Sequence, residues 1–309
     1  MAVFTIRPER ANLHGTFSRD YEPVVTIDSG DTARFATLDA GWGLEPFTEP
    51  GVRKRFPRER PKDSGHALCG PVAIRGAEPG QTLEVRINDI RPGSWGWNAA
   101  GGFPHPVNKR LGIAEGEEYH LNWTLDADAM IGLSDKGHKI ALRPFMGVMG
   151  MPPDEDGLHS TMQPRYCGGN IDCKELVAGS TLFLPIPVAQ GLFSVGDGHA
   201  AQGDGEVGVC ALECPMDAVD LTFVVRDDIR LKMPRAKTGS AWITFGFDED
   251  VDRAMMVALE GMLDLMGELY GCERKEAMAL ASLVVDLRIT QIVNGVCGAH
   301  AVLPHGSVR

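Results

Sequence analysis

No apolar run in the sequence reaches the roughly 18 residues that a membrane-spanning helix needs, so none is expected. Positive charge is short: 30 lysines and arginines stand against 42 aspartates and glutamates, a formal net charge of −12. A field of that sign repels phosphate backbones and anionic lipid, which excludes a non-specific nucleic-acid binder and a partner for anionic membranes. Cysteine pairing is lacking too. Seven cysteines are an odd number without zinc-finger spacing, and the opening residues carry charge early with no apolar core of signal-peptide length. Reduced thiols in a soluble cytoplasmic protein are the expectation.

What the sequence has instead is turn chemistry between short apolar runs. Glycine at 37 and proline at 20 residues predict many turns, and 43% hydrophobic residues in a chain of 309 suffice for a sizeable core. Leu83, Val85 and Ile87 alternate with Glu84, Arg86 and Asn88, the period of a half-buried strand. Further strands are predicted near 24–27, in 118–133 with turn residues Asp126 and Asp128, and over 181–188, 219–225, 229–234 and 241–247. The run 139–153 reads as a strand passing into a Gly- and Pro-rich loop. The aromatic stretch 91–108 reads as a loop that either walls a pocket or plugs the end of a sandwich. The arginines of 53–60 read as a solvated loop. Helical spacing comes only late, where Met255, Leu259, Met262, Met266 and Leu269 form one stripe over 252–270 that Gly271 is placed to end. A second short helix over 273–281 and a strand at Val285, Leu287 and Ile289 follow. The reading is a mainly β body with a small C-terminal α/β attachment, one unit over 1–309 with room for two β subdomains.

Chemistry concentrates in 191–214, where Asp197, His199, Asp204, Glu206 and Glu213 are separated by six glycines. Carboxylates and imidazole at short range are metal ligands for hard-to-intermediate cations, and the same groups are general bases. Asp28 and Asp31 end a β-branched run, where they either present function or cap a turn. The consecutive amides of Gly168 and Gly169 either donate to an oxyanion or serve a tight turn. Cys167 and Cys173 keep a cysteine nucleophile open, without an adjacent base. His66, between Gly65 and Ala67, has no partner set of its own.

Several motifs in order along the chain resemble the acetamidase/formamidase family. They are Gly65-His-Ala-Leu-Cys-Gly-Pro71, Gly76-Ala-Glu-Pro-Gly80, Arg143-Pro-Phe-Met-Gly-Val-Met-Gly150, Gly168-Gly-Asn-Ile-Asp172 and Phe193-Ser-Val-Gly-Asp-Gly-His-Ala-Ala-Gln-Gly-Asp-Gly-Glu206. The resemblance runs from about 24 to 293, and the last motif is long and specific. It departs from the family pattern at Cys69 and Cys210, either of which alters the pocket. The resemblance implies a β-sandwich, a homo-oligomer, and hydrolysis of a short aliphatic amide of the formamide or acetamide class to carboxylate and ammonia. It also implies a divalent metal, zinc being the usual one, with enough ligands for two ions. On that resemblance Asp31, His66, Asp197, His199 and Glu213 are the metal-ligand set, and Glu206 is the general base or proton shuttle. Gly168 and Gly169 would stabilise the oxyanion, and Asn170 and Asp172 would orient the amide. The alternatives are a cysteine-dependent C–N hydrolase and a non-catalytic protein that binds small amides.

Overall fold

The computed structural model describes residues 1–49 and 51–309. Among these the largest sheet has nine strands, in the order Val3–Ile6, Thr32–Thr37, Met216–Arg226, Thr82–Pro92, Thr181–Pro185, Arg235–Lys237, Ala241–Asp248, Cys297–Pro304 and Asp286–Gln291. A second sheet of seven runs Pro164–Arg165, Gly168–Asn170, Phe145–Gly150, Phe193–His199, Leu68–Ile74 and Leu13–His14, with Val25–Ile27 added in parallel against Leu68–Ile74. The two sheets share one apolar core. Phe193 of the smaller meets Phe223 of the larger edge-on, with ring centroids 5.0 Å apart. The mainly β sandwich expected from the sequence is what forms.

Alternation decides the central strand Thr82–Pro92. Leu83, Val85 and Ile87 point into the core, while Arg86 and Asn88 face outward. Glu84 is buried among them and remains satisfied, because Arg86 Nε donates to it at 2.6 Å and Arg226 at 2.5 Å. A four-stranded meander, Trp95–Ala100, Tyr119–Asp126, Ile131–Ser134 and Lys139–Ala141, lies beside the sandwich. Its first hairpin closes through Asp126, whose Oδ1 accepts from the amides of Asp128 and Ala129 at 3.0 and 2.8 Å, the turn role expected of it.

The C-terminal attachment is the helix Val251–Tyr270, followed by Arg274–Val284, packed on the strands Ala241–Asp248 and Cys297–Pro304. Asp250 caps the long helix by accepting from the amide of Asp252 at 2.9 Å, and Gly271 ends it at φ 66°. The buried face is shifted from the predicted stripe. Ala254, Ala258, Met262, Leu263, Leu265 and Met266 are buried, but Leu269 is exposed and Met255 only half-buried, because the helix approaches the sheet most closely at Ala254 and Ala258, whose backbone stands against Gly246. No helix among the described residues is long and apolar enough to cross a membrane.

Four other expectations need correction. Phe145–Gly150 is a fully buried strand: Met and Gly are poor strand formers in isolation, but both neighbours here supply ladder bonds. Trp95–Ala100 is likewise a strand, with a short helix Pro106–Leu111 after it. Residues 229–234 form no strand, and pairing begins only at Arg235. The arginine loop is not wholly solvated. Arg53 lies buried on the ring of Phe47, its guanidinium 4.3 Å from the centroid, and donates at 2.5 Å to the buried carboxylate of Asp39. The indole of Trp97 donates to that carboxylate as well, at 2.7 Å.

Candidate metal and active site

The strand Phe193–His199 carries Asp197 and His199. Its antiparallel neighbour sets Phe145 opposite His199, the two rings edge-on at 5.1 Å. On the far side of that neighbour the strand Gly168–Asn170 leads directly into Asp172. Glu213 arrives from the meander side. It exchanges both backbone hydrogen bonds with Trp97 at 2.9 Å and bridges to His199. Glu206 follows a turn closed from its own amide to the carbonyl of Gly203.

Five side chains therefore converge, each no more than 7% exposed. His199 Nε2 lies 3.2 Å from Asp197 Oδ1 and 3.4 Å from Glu213 Oε1, and His199 Nδ1 lies 4.0 Å from Asp172 Oδ1. Two overlapping ligand groups share His199: one with Asp172 and Asp197, the other with Glu206 and Glu213, the atoms of each within 4.8 Å of one another. Asp172, Asp197 and Glu206 take positive φ of 53°, 59° and 46°, a conformation that costs a side-chain-bearing residue on the order of 1–3 kcal/mol. Such strain persists only where the surroundings fix it, and here it aims carboxylates at one point.

The charges do not balance within the cluster. Burial and the neighbouring Asp172 carboxylate push Glu206 well above the usual carboxylate range. Burial also raises Asp172, to about 7, against the opposing pull of His199. Burial raises Glu213 too. Burial would raise Asp197 and lower His199. For Asp197 the imidazoles of His66 and His199 outweigh it and hold the group low; for His199 the carboxylates of Glu213 and Asp197 do so and hold the ring well above its ordinary value. Four buried carboxylates thus draw positive charge to this point.

The residues fit a divalent cation. Asp172 Oδ1, His199 Nδ1 and Glu213 Oε2 are buried with no hydrogen-bond partner, an expensive condition for a protein interior. Gly147 leaves space beside Asp172, Asp197 and His199. A Cβ there would stand 2.6 Å from Asp197 Oδ2, 2.7 Å from Asp172 Oδ1 and 2.8 Å from His199 Cε1. The sequence reading did not single out Gly147; the only signal was its place inside the Met-Gly-Val-Met-Gly run. Asn294 was missed as well. Its Nδ2 donates to Asp172 Oδ2 at 2.7 Å across a long separation that no local pattern reveals.

The other predicted residues divide. His66 is half-buried beside the cluster, near enough for its imidazole to act on Asp172 and Asp197, with Nδ1 3.1 Å from the Thr161 hydroxyl. Asn170 is buried with Oδ1 unpartnered, while its Nδ2 donates to the carbonyl of Met162 at 3.3 Å. Asp31 is not brought in. Its two oxygens accept from the amides of Ala2 and Asp28, at 2.6 and 3.1 Å, and cap the turn before Thr32–Thr37. Gly168 and Gly169 are laddered on both sides between Phe145–Gly150 and Pro164–Arg165. A Cβ on Gly168 would meet the Met149 carbonyl oxygen at 2.3 Å, so close strand approach accounts for the pair. Asp204 pairs instead with Lys174, at 3.1 Å. Cys167 and Cys173 are buried, and burial pushes both thiols up to about 12, which removes the thiolate a cysteine mechanism needs.

Two sizeable cavities open in the molecule. The one of about 490 Å³ lies between the long helix and the strand at Thr244, lined by Arg230, Arg235 and Arg274, and contains none of the five clustered side chains. The one of about 470 Å³ opens beside the loop 201–208 and has Glu206 in its wall. Of the five clustered side chains, Glu206 alone lines the second.

A family model described as the Acetamidase/Formamidase family matches residues 5–161 and 155–305. A Schizosaccharomyces pombe protein named "Putative formamidase" is 27% identical over an alignment covering 78% of this chain and 74% of that protein. The acetamidase of Mycolicibacterium smegmatis is 29% identical over 47% of this chain and half of its own length. Among solved structures, the acetamidase of Bacillus halodurans superposes with a TM-score of 0.85 at 25% identity, covering 97% of each chain.

Proposed function

This chain belongs to the acetamidase/formamidase family, and from that premise we propose that it hydrolyses a short linear amide to carboxylate and ammonia at the cluster around His199. The observation that carries the reading is the convergence of four buried carboxylates on one histidine with unpartnered ligand atoms facing the space above Gly147.

Asp172, Asp197, His199 and Glu213 would hold a divalent cation, with His66 at their edge. Mixed imidazole and carboxylate donors suit zinc, and the two overlapping groups supply ligands enough for a pair of ions. Such a cation, when bound, polarises the amide carbonyl and makes water acidic enough to serve at neutral pH. The chain's own residues then handle the proton. Amide resonance opposes attack at carbon, and the nitrogen leaves only after it is protonated. Glu206, in the wall of the cavity and within reach of the charge on Asp172, takes the proton from the attacking water and returns it to nitrogen. Asn294 holds Asp172 from behind, and burial keeps bulk water from the pair. Exposed apolar side chains on and beside the second C-terminal helix, Met278, Leu283 and Leu287, support a homo-oligomer.

The test is ammonia release from formamide, acetamide, propionamide and urea by protein as purified, after chelation, and after zinc is restored. Release that chelation abolishes and zinc restores is expected. Release indifferent to chelation would remove the cation from the reading, and no release from any amide would remove the reading itself. Glu206→Gln should fold and keep its metal while kcat falls on the order of 10²- to 10⁴-fold.

A further inference from the structure

The cavity beside Glu206 is larger and more apolar than formamide or acetamide requires. At about 470 Å³ it falls within the range of sites that enclose a drug-sized ligand, roughly 300–1,000 Å³. Its walls are Trp123, Ile140, Val207 and Leu212, interspersed with alanines from three segments of chain. The one indole N–H among them is occupied, because Trp123 Nε1 donates to Asn98 Oδ1 at 2.7 Å, so the ring offers only apolar surface. Val207 stands 64% exposed at the rim, an apolar side chain that no neighbour covers.

The charged groups point the same way. No lysine, arginine or histidine lines the cavity among the described residues, and its two acids are Asp204 and Glu206. Lys174 approaches Asp204 from outside the lining and neutralises it. A substrate carboxylate would find no cation there and would face Glu206.

The lining also offers an acceptor for the amide itself. Gln202 lines the cavity, and its Nε2 donates to the carbonyl of Asp172 at 2.8 Å, which fixes which end of the side-chain amide is the oxygen. Gln202 Oε1 is buried without a partner. An unsatisfied acceptor on a residue of the same wall as Glu206 is matched by the N–H of a primary amide.

We propose that this site takes neutral primary amides whose acyl group is apolar and larger than acetyl, the chain or ring lying along Trp123 and Ile140 and the amide nitrogen donating to Gln202 Oε1. The proposal rests on the amidase reading and goes beyond it in the substrate class. Apolar burial raises kcat/KM with each added methylene, by about fourfold while the group remains inside the cavity.

The experiment is a kcat/KM series on the metal-loaded enzyme with formamide, acetamide, butyramide, hexanamide and phenylacetamide, and with succinamate as the carboxylate-bearing control. The expected result is a rise from formamide to hexanamide or phenylacetamide and no measurable turnover of succinamate. Activity that peaks at formamide or acetamide, or turnover of succinamate equal to that of butyramide, overturns the proposal while leaving the amidase reading intact. No turnover of any amide overturns both. Ala141→Phe, on an exposed edge strand in the wall of the cavity, locates the acyl group. It should lower kcat/KM for phenylacetamide at least about tenfold more than it lowers that for formamide, which has no acyl chain to meet the new ring. Equal effects on both substrates would place the acyl group elsewhere.

Discussion

His14 and His199 are both buried histidines of the seven-stranded sheet, and the difference between them lies in what meets the ring. His14 Nδ1 donates to the carbonyl of Thr16 at 2.7 Å, and its Nε2 accepts from the Ser194 hydroxyl at 2.9 Å. Both nitrogens are satisfied by neutral groups, and burial drives the ring to about 4, so it stays uncharged at neutral pH. His199 is equally buried, but Glu213 and Asp197 hold it far on the other side of its ordinary value, and its Nδ1 has no partner. Ser194 and His199 lie on one strand, so a closed polar site and an open one are separated by a few residues. Saturation marks structure, and unsatisfied convergence marks a place where something binds.

Filling the space above Gly147 should erase the difference most completely. In Gly147→Ala the new methyl meets Asp172, Asp197 and His199 at once, all inside van der Waals distance. The backbone there is not in the left-handed region, so the ladder with Phe193–His199 is preserved. Amidase activity should fall by about 10²-fold or more and, on the metal reading proposed above, zinc uptake should be lost on elemental analysis with the thermal melt little changed. Full activity in this variant would show that the cluster is not the site.

Acid should act on the closed site through stability. His14 in that site, and His300 separately in the larger sheet, both have folded-state values near 4, lowered by burial, against about 6.5 when unfolded. Between these values the unfolded chain binds the additional protons, so their stabilisation is complete above pH 6.5 and is lost as pH falls toward 4. The shift for each ring corresponds to about 3 kcal/mol as an upper figure. Urea unfolding from pH 7 to 4 should show the loss, and His14→Gln should remove its share of the slope. A slope unchanged in His14→Gln would mean that His14 titrates normally.

Removing the partner rather than the ring is a smaller change. Ser194→Ala leaves His14 Nε2 buried without a donor, which should cost about 1–3 kcal/mol in urea unfolding. Specific activity of the folded enzyme should stay within about twofold, since surface and core changes remote from a site act mainly on stability. A large loss of activity at unchanged stability would make the His14–Ser194 pair part of the chemistry.

What was legible in the sequence follows from range. Strand alternation at 83–87, the turn at Asp126 and the helix ended by Gly271 are local, and each formed as read. Asp197, His199, Glu206 and Glu213 were legible because one short stretch carries them. The buried strand at Phe145–Gly150 was not, since its methionines and glycines acquire strand character only from the ladders on both sides. Arg53 was misread for a related reason. A charge run seems solvated until Asp39, Phe47 and Trp97 fold around one member of it.

Asp31 should give the smallest effect and test the boundary of the cluster. The sequence alone could not separate a strand-end ligand from a turn cap, because both place a carboxylate after a β-branched run. In the structure its Oδ1 accepts from the amide of Ala2 and its Oδ2 from that of Asp28, and those backbone hydrogen bonds hold its pKa below the usual range. Asp31→Asn keeps one acceptor oxygen and gives up the other. Activity and zinc content should therefore match the parent within about twofold, as for most substitutions away from a site, with the amide of Ala2 or Asp28 exchanging faster in hydrogen-exchange measurements. Loss of zinc in this variant would extend the metal site to a turn that the fold assigns to backbone capping.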